Sequence, residues 1–82
     1  MKKVLVLGGA GFIGRNIVQE LVSMDYLVTS ADIKTSEDLE NLKRTNQGNN
    51  LEIITADFSK SSSFEMLKES YDEIYMLAAV VG

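Results

Sequence analysis

Seven residues near the start, Gly8-Gly9-Ala10-Gly11-Phe12-Ile13-Gly14, have types and spacing suited to holding a phosphate group. They lie between an apolar run, Val4-Leu5-Val6-Leu7, and a helical pattern carried by Ile13, Ile17, Val18, Leu21 and Val22. A glycine turn from a buried strand into a helix lets the backbone come close to an anion. The first free N–H groups of the helix then point at it. The G-x-x-G-x-x-G spacing suits the pyrophosphate of a dinucleotide, and its place between strand and helix favours that over a purely structural turn. Gly9-x-x-x-x-Gly14 also approaches the mononucleotide phosphate loop. Arg15-Asn16 follow, however, where that loop needs Lys for the terminal phosphates and Ser or Thr for magnesium. An ATPase or GTPase is not expected.

Two carboxylates extend the pattern. Asp32, 18 residues after Gly14, stands at the end of a second predicted strand. There it can accept two hydrogen bonds from an adenosine ribose diol and repel a 2′-phosphate, which favours NAD over NADP. Lys34 is the counter-signal, a cation able to meet such a phosphate or simply a solvated surface lysine. Asp57-Phe58 ends the third strand, where an adenine would rest, with the carboxylate accepting its amino proton and the next N–H donating to the ring. The plain alternatives are a strand-end carboxylate for Asp32 and an Asx turn for Asp57. A metal-binding pair, as in phosphoacceptor receiver domains, would need acidic residues after the first strand, and glycines stand there. Ala78-Ala79 are small residues at the fourth strand's end, suited to close approach of a cofactor or to tight helix–sheet packing. Tyr26, Tyr71 and Tyr75 are not followed four residues later by Lys, and Met24, Met66 and Met76 read as core filler.

Composition narrows the classes. The 82 residues allow one domain with a small core, and 45% apolar content is that of a globular chain. A net charge of −4 with scattered basic residues argues against nucleic-acid binding, so an anion site here must use backbone amides. With no Cys and no His, thiolate nucleophiles, Ser-His pairs, disulfides and the usual zinc ligand sets are excluded. Met1-Lys2-Lys3 before an apolar run imitates a signal peptide, but glycines, Arg15 and Asn16 break the run and no small-x-small site closes it. No run approaches the length of a membrane span. A cytoplasmic location is expected.

The elements that must position these residues alternate. Strands are predicted over Lys2–Leu7, Leu27–Ala31, Leu51–Thr55 and Glu73–Leu77. Helices are predicted over Gly11–Met24, over Ser36 to about Gln47 with a capping hydroxyl at its start, and after the capping box Ser62-x-x-Glu65 with Phe64, Met66 and Leu67. Gly48-Asn49-Asn50 should end the second helix. This β-α-β-α-β-α-β order, with strands that read as continuous apolar runs, implies an α/β fold with a parallel sheet flanked by helices. The glycine turn, Asp32, Asp57 and Ala78-Ala79 then share the edge where open α/β sheets bind ligands.

Taken together, Val4 to Gly14, Asp32, Ala56-Asp57-Phe58 and Leu77-Ala78-Ala79 resemble the extended short-chain dehydrogenase/reductases, most closely the NAD-dependent nucleotide-sugar epimerases and dehydratases. The resemblance implies the first β-α-β-α-β-α-β portion of a Rossmann-type sheet. It assigns Gly8, Gly11, Phe12, Ile13 and Gly14 to the pyrophosphate, Asp32 to the ribose, Asp57 and Phe58 to the adenine, and Leu77, Ala78 and Ala79 to the wall beside it, with Ile33 also in the cofactor site. Leu7 and Met76 depart from the Thr and His often found there. The family's catalytic Ser or Thr, its Tyr-x-x-x-Lys helix and its substrate domain follow the fourth strand, and none is among residues 1–82. The chain is thus expected to be the N-terminal, NAD-binding part of such an enzyme, meeting a nucleotide sugar only with the remainder present. The alternatives are a stand-alone dinucleotide-binding or sensing module completed by self-association through an exposed sheet edge, and a non-binding remnant kept as an interaction surface.

Overall fold

A computed structural model describes residues 2–57, 67 and 70–77. Four strands, β1 (Lys3–Leu7), β2 (Leu27–Asp32), β3 (Leu51–Thr55) and β4 (Glu73–Met76), form one sheet in the order β3-β2-β1-β4. Every pairing is parallel, with Val4 opposite both Val28 and Glu73, and Val28 opposite Leu51. The central strands are buried on both faces, which is why Val4–Leu7 reads as a continuous apolar run, while β2 buries Thr29 and Ser30 between Val28 and Ala31. The edge strands β3 and β4 are only partly covered, and their burial is broken accordingly.

Helix α1 (Phe12–Ser23) lays Val18, Leu21 and Val22 on one face of the sheet against Val4, Val6 and Val28. Each such side chain contributes about 1.5–3 kcal/mol by leaving water. Helix α2 (Glu37–Lys43) adds Leu39 to the same core. On the opposite face Leu5, Leu7 and Ala31 pack with Ile54, Ala56, Leu67 and Tyr71. Helix α1 ends in a Schellman-type cap: Tyr26 N–H donates to the Leu21 carbonyl and Asp25 N–H to that of Val22, with Asp25 left-handed at φ 64°.

Three local expectations are corrected. Helix α2 does not run to Gln47; it stops at Lys43, and Gly48-Asn49-Asn50 belong to a 3-10 turn over Asn46–Asn50 rather than marking a helix end. The cause is local competition for carbonyls. The N–H groups of Arg44 and Thr45 tighten onto Asn41 and Leu42, and the Thr45 hydroxyl takes the Leu42 carbonyl as well. Gly48 then folds back against the Lys43 carbonyl so closely that no Cβ would fit. Ser36 does occupy the N-cap of α2, but its hydroxyl makes no capping bond, and its carbonyl accepts the Glu40 N–H. At the remaining ends, Lys2, Gly11, Met24 and Leu77 flank their elements rather than belonging to them. The helix expected around Ser62–Leu67 lies outside the described residues apart from Leu67.

Candidate functional site

The parallel sheet gathers four chain exits on one edge. Gly8 follows β1, Ile33 follows β2, Ala56-Asp57 follow β3 and Leu77 follows β4. Backbone bonds carry the ladder out to that edge: Gly8 N–H to Ala31 at 2.8 Å, Ala56 N–H to Asp32 at 2.9 Å and Leu77 N–H to Leu7 at 2.8 Å. Sequence-separated candidates thereby become neighbours through register alone.

Within the glycine turn each glycine has a different reason. Gly8 takes φ 91°, a left-handed conformation that side chains disfavour. A Cβ on Gly9 would lie 2.0 Å from the Ser30 hydroxyl, and one on Gly14 would lie 2.1 Å from the Gly8 carbonyl oxygen. Those two positions are closed by the protein itself. Gly11 differs. It is exposed, its φ of −71° suits any residue, and a Cβ there would meet nothing nearer than the Gly8 oxygen at 3.6 Å.

Gly11 is also the N-cap of α1, with no capping side chain and no acidic residue in the first turn. The helix start thus presents amides and a partial positive charge without a built-in anion to satisfy them. Phe12 and Ile13 stand exposed at its mouth, 70% and 65% accessible. Arg15 stacks 5.2 Å from the Phe12 ring centre and pairs with Asp38 at 3.3 Å, bridging α1 to the start of α2. Its charge is thereby directed toward α2.

Asp32 is half-buried at the end of β2. One carboxylate oxygen accepts the Ala10 N–H at 3.0 Å and the other accepts the Lys34 N–H at 3.1 Å. Ile33 beside it is exposed, and Asp57 is half-buried after β3. Phe58, Ala78 and Ala79 lie outside the described residues. Leu7 is buried, while Met76 is exposed beside it on the edge strand. Residue order placed Ala10 in the glycine turn but did not reveal Ser30 behind it or the bond from the Ala10 amide to Asp32. A small residue one strand away from a glycine is the signal for Ser30, whereas the Ala10 amide leaves no trace in side-chain type.

Among the described residues there is no acidic or His/Cys group able to hold a metal ion, and no helix is long and apolar enough to cross a membrane. Comparison with known proteins gives a consistent result. The UDP-N-acetyl-alpha-D-glucosaminuronate decarboxylase of Bacillus cytotoxicus is 32% identical over 87 aligned residues, covering 99% of this chain and 25% of the relative. The UDP-Glc/GlcNAc 4-epimerase of Campylobacter jejuni superposes with a TM-score of 0.82 at 26% identity, over 100% of this chain and 26% of that one. The dTDP-glucose 4,6-dehydratase of Bacillus anthracis, solved in complex with NAD, superposes at 0.73 and 28% identity, over 96% and 27%. The chain therefore spans about a quarter of the length of these relatives. Residues 4–82 match the NAD-dependent epimerase/dehydratase family, and the chain belongs to that family.

Proposed function

We propose that this chain binds the ADP-ribose half of NAD, as the cofactor-holding part of an NAD-dependent nucleotide-sugar epimerase or dehydratase. The observation that carries the reading is Gly11: the fold leaves room for a side chain there, at the mouth of an uncapped helix start, and the sequence leaves the room empty. A pyrophosphate against this turn would take the first-turn amides of α1. Asp32 would receive the ribose hydroxyls and disfavour a 2′-phosphate, with Ile33 beside the sugar. Asp57 and Phe58 would meet the adenine, and Leu77 to Ala79 would wall it. The sugar-nucleotide names of the relatives support the substrate class. Bound NAD supplies a transient hydride acceptor; this chain's residues hold and orient its adenine half.

Titration of the protein with NAD and NADP tests this. Saturable binding that prefers NAD is expected, and Gly11→Ala should fold normally while binding NAD at least about tenfold more weakly. Equal binding by the two proteins would remove the reason given for the glycine.

A second reading, a non-catalytic module completed by self-association, is favoured by one feature. Edge strand β4 leaves Ile74 and Met76 57% and 62% exposed on the Leu5–Leu7 face. Sedimentation of Ile74→Lys against the parent chain tests it. A concentration-dependent oligomer lost in the variant supports pairing through this edge, and a monomer at all concentrations rejects it.

A further inference from the structure

The Asp32 carboxylate reaches into the glycine turn, 22 residues earlier in the chain, before any ribose is considered. The turn's own closing bond, Gly11 N–H to the Gly8 carbonyl, is long at 3.3 Å. The bond from Ala10 N–H to Asp32 is shorter, 3.0 Å, and its acceptor is charged, which makes it the stronger tie. The second oxygen is fixed by Lys34 N–H, so the carboxylate cannot swing away without breaking two bonds.

From this we infer that Asp32 is a positioning residue for the phosphate turn as well as a ligand for the ribose, so that one carboxylate couples recognition of the sugar to the shape of the pyrophosphate cradle. The inference rests on the dinucleotide reading above. The two tasks are compatible because an ionised carboxylate has about four lone-pair sites, and the backbone occupies only two.

The sign of an electrostatic effect separates this from a ribose-only role. A carboxylate beside a diphosphate repels it, so removing a carboxylate that touched only the ribose would leave a ligand without a ribose diol unaffected or bound more tightly. Removing one that shapes the turn must weaken that ligand too.

The probes are ADP and 2′,3′-dideoxy-ADP, titrated into the full chain and its Asp32→Ala and Asp32→Asn variants, with hydrogen exchange of the Ala10 amide followed by NMR in the absence of nucleotide. Asp32→Ala is expected to speed Ala10 exchange and to weaken both nucleotides, the dideoxy form by about tenfold. Asp32→Asn keeps one carbonyl acceptor, for either Ala10 N–H or Lys34 N–H but not both, and should fall between the parent and Asp32→Ala in Ala10 protection and in dideoxy-ADP affinity. Unchanged Ala10 exchange in Asp32→Ala, or dideoxy-ADP binding that is unchanged or tighter, overturns the inference. Should the parent chain bind neither nucleotide, the proposed function fails, and the exchange measurement still decides whether the carboxylate holds the turn.

Discussion

A Cβ atom on Gly14 would stand 2.1 Å from the carbonyl oxygen of Gly8 and 2.9 Å from the Gly9 Cα, so the first turn of α1 rests directly on the loop that precedes it. Backbone on backbone leaves nothing flexible to give way. Gly14→Ala should therefore lift the helix from the turn, costing about 1–3 kcal/mol in urea unfolding and abolishing NAD binding. Gly11→Ala supplies the contrast: the entropy lost by the unfolded chain, worth roughly 0.4–1 kcal/mol, is offset by alanine's poorer N-cap, leaving stability within about 1 kcal/mol of the parent.

Gly9 and Ser30 form a second close pair. Gly9→Ala should destabilise by about 1–3 kcal/mol because the new methyl collides with the Ser30 hydroxyl. Removing that side chain relieves the two nearest contacts, and the third, the Ser30 Cα at 3.4 Å, is at the edge of ordinary van der Waals distance. A double-mutant cycle of Gly9→Ala with Ser30→Gly should therefore show favourable coupling of at least about 0.5 kcal/mol. Strict additivity of the two substitutions would reject the contact.

Asp25 closes α1 in the left-handed region without being glycine. Asp25→Gly should raise the unfolding midpoint, by an equivalent of about 1 kcal/mol, since the cap's hydrogen bonds are backbone bonds and survive the change. A fall in midpoint would mean that the aspartate side chain contributes more than its conformation costs.

Edge strand β4 is clipped to the residue before β1 by Lys2, whose ammonium meets Glu73, while the Tyr75 hydroxyl donates to the other Glu73 oxygen at 3.2 Å. The hydrogen bond from Lys2, then that from Tyr75, lowers the Glu73 pKa below its ordinary 4.5. The hydrogen bond to Glu73 raises Lys2 above 10.5, and the same kind of bond raises Tyr75 above 10.0. The lowered carboxylate contributes stability above its unfolded value, lost as pH falls through the folded one. The raised Lys2 and Tyr75 contribute below their unfolded values, and that part is lost as pH rises through the folded ones. Glu73→Gln should flatten both limbs of the pH–stability curve. Because the groups are solvent-exposed, the effect should shrink in high salt.

Residue order alone determined the parts whose causes are local in sequence. The apolar run at Val4–Leu7 announced a buried strand because both faces of β1 are covered, and a parallel sheet then places every strand's exit on one edge; the strand order β3-β2-β1-β4 was not legible. The glycine turn was legible because a φ of 91° at Gly8 and a close helix start at Gly14 require particular residue types. What tertiary structure decided depends on backbone atoms and on neighbours brought by register. The early stop of α2 came from competition for the Asn41 and Leu42 carbonyls, which helical spacing does not register. Ser30 became the wall behind Gly9 only when β2 paired with β1. The Ala10 amide found Asp32 for the same reason, and an N–H common to nearly every residue type carries no sequence signature of the partner it will meet.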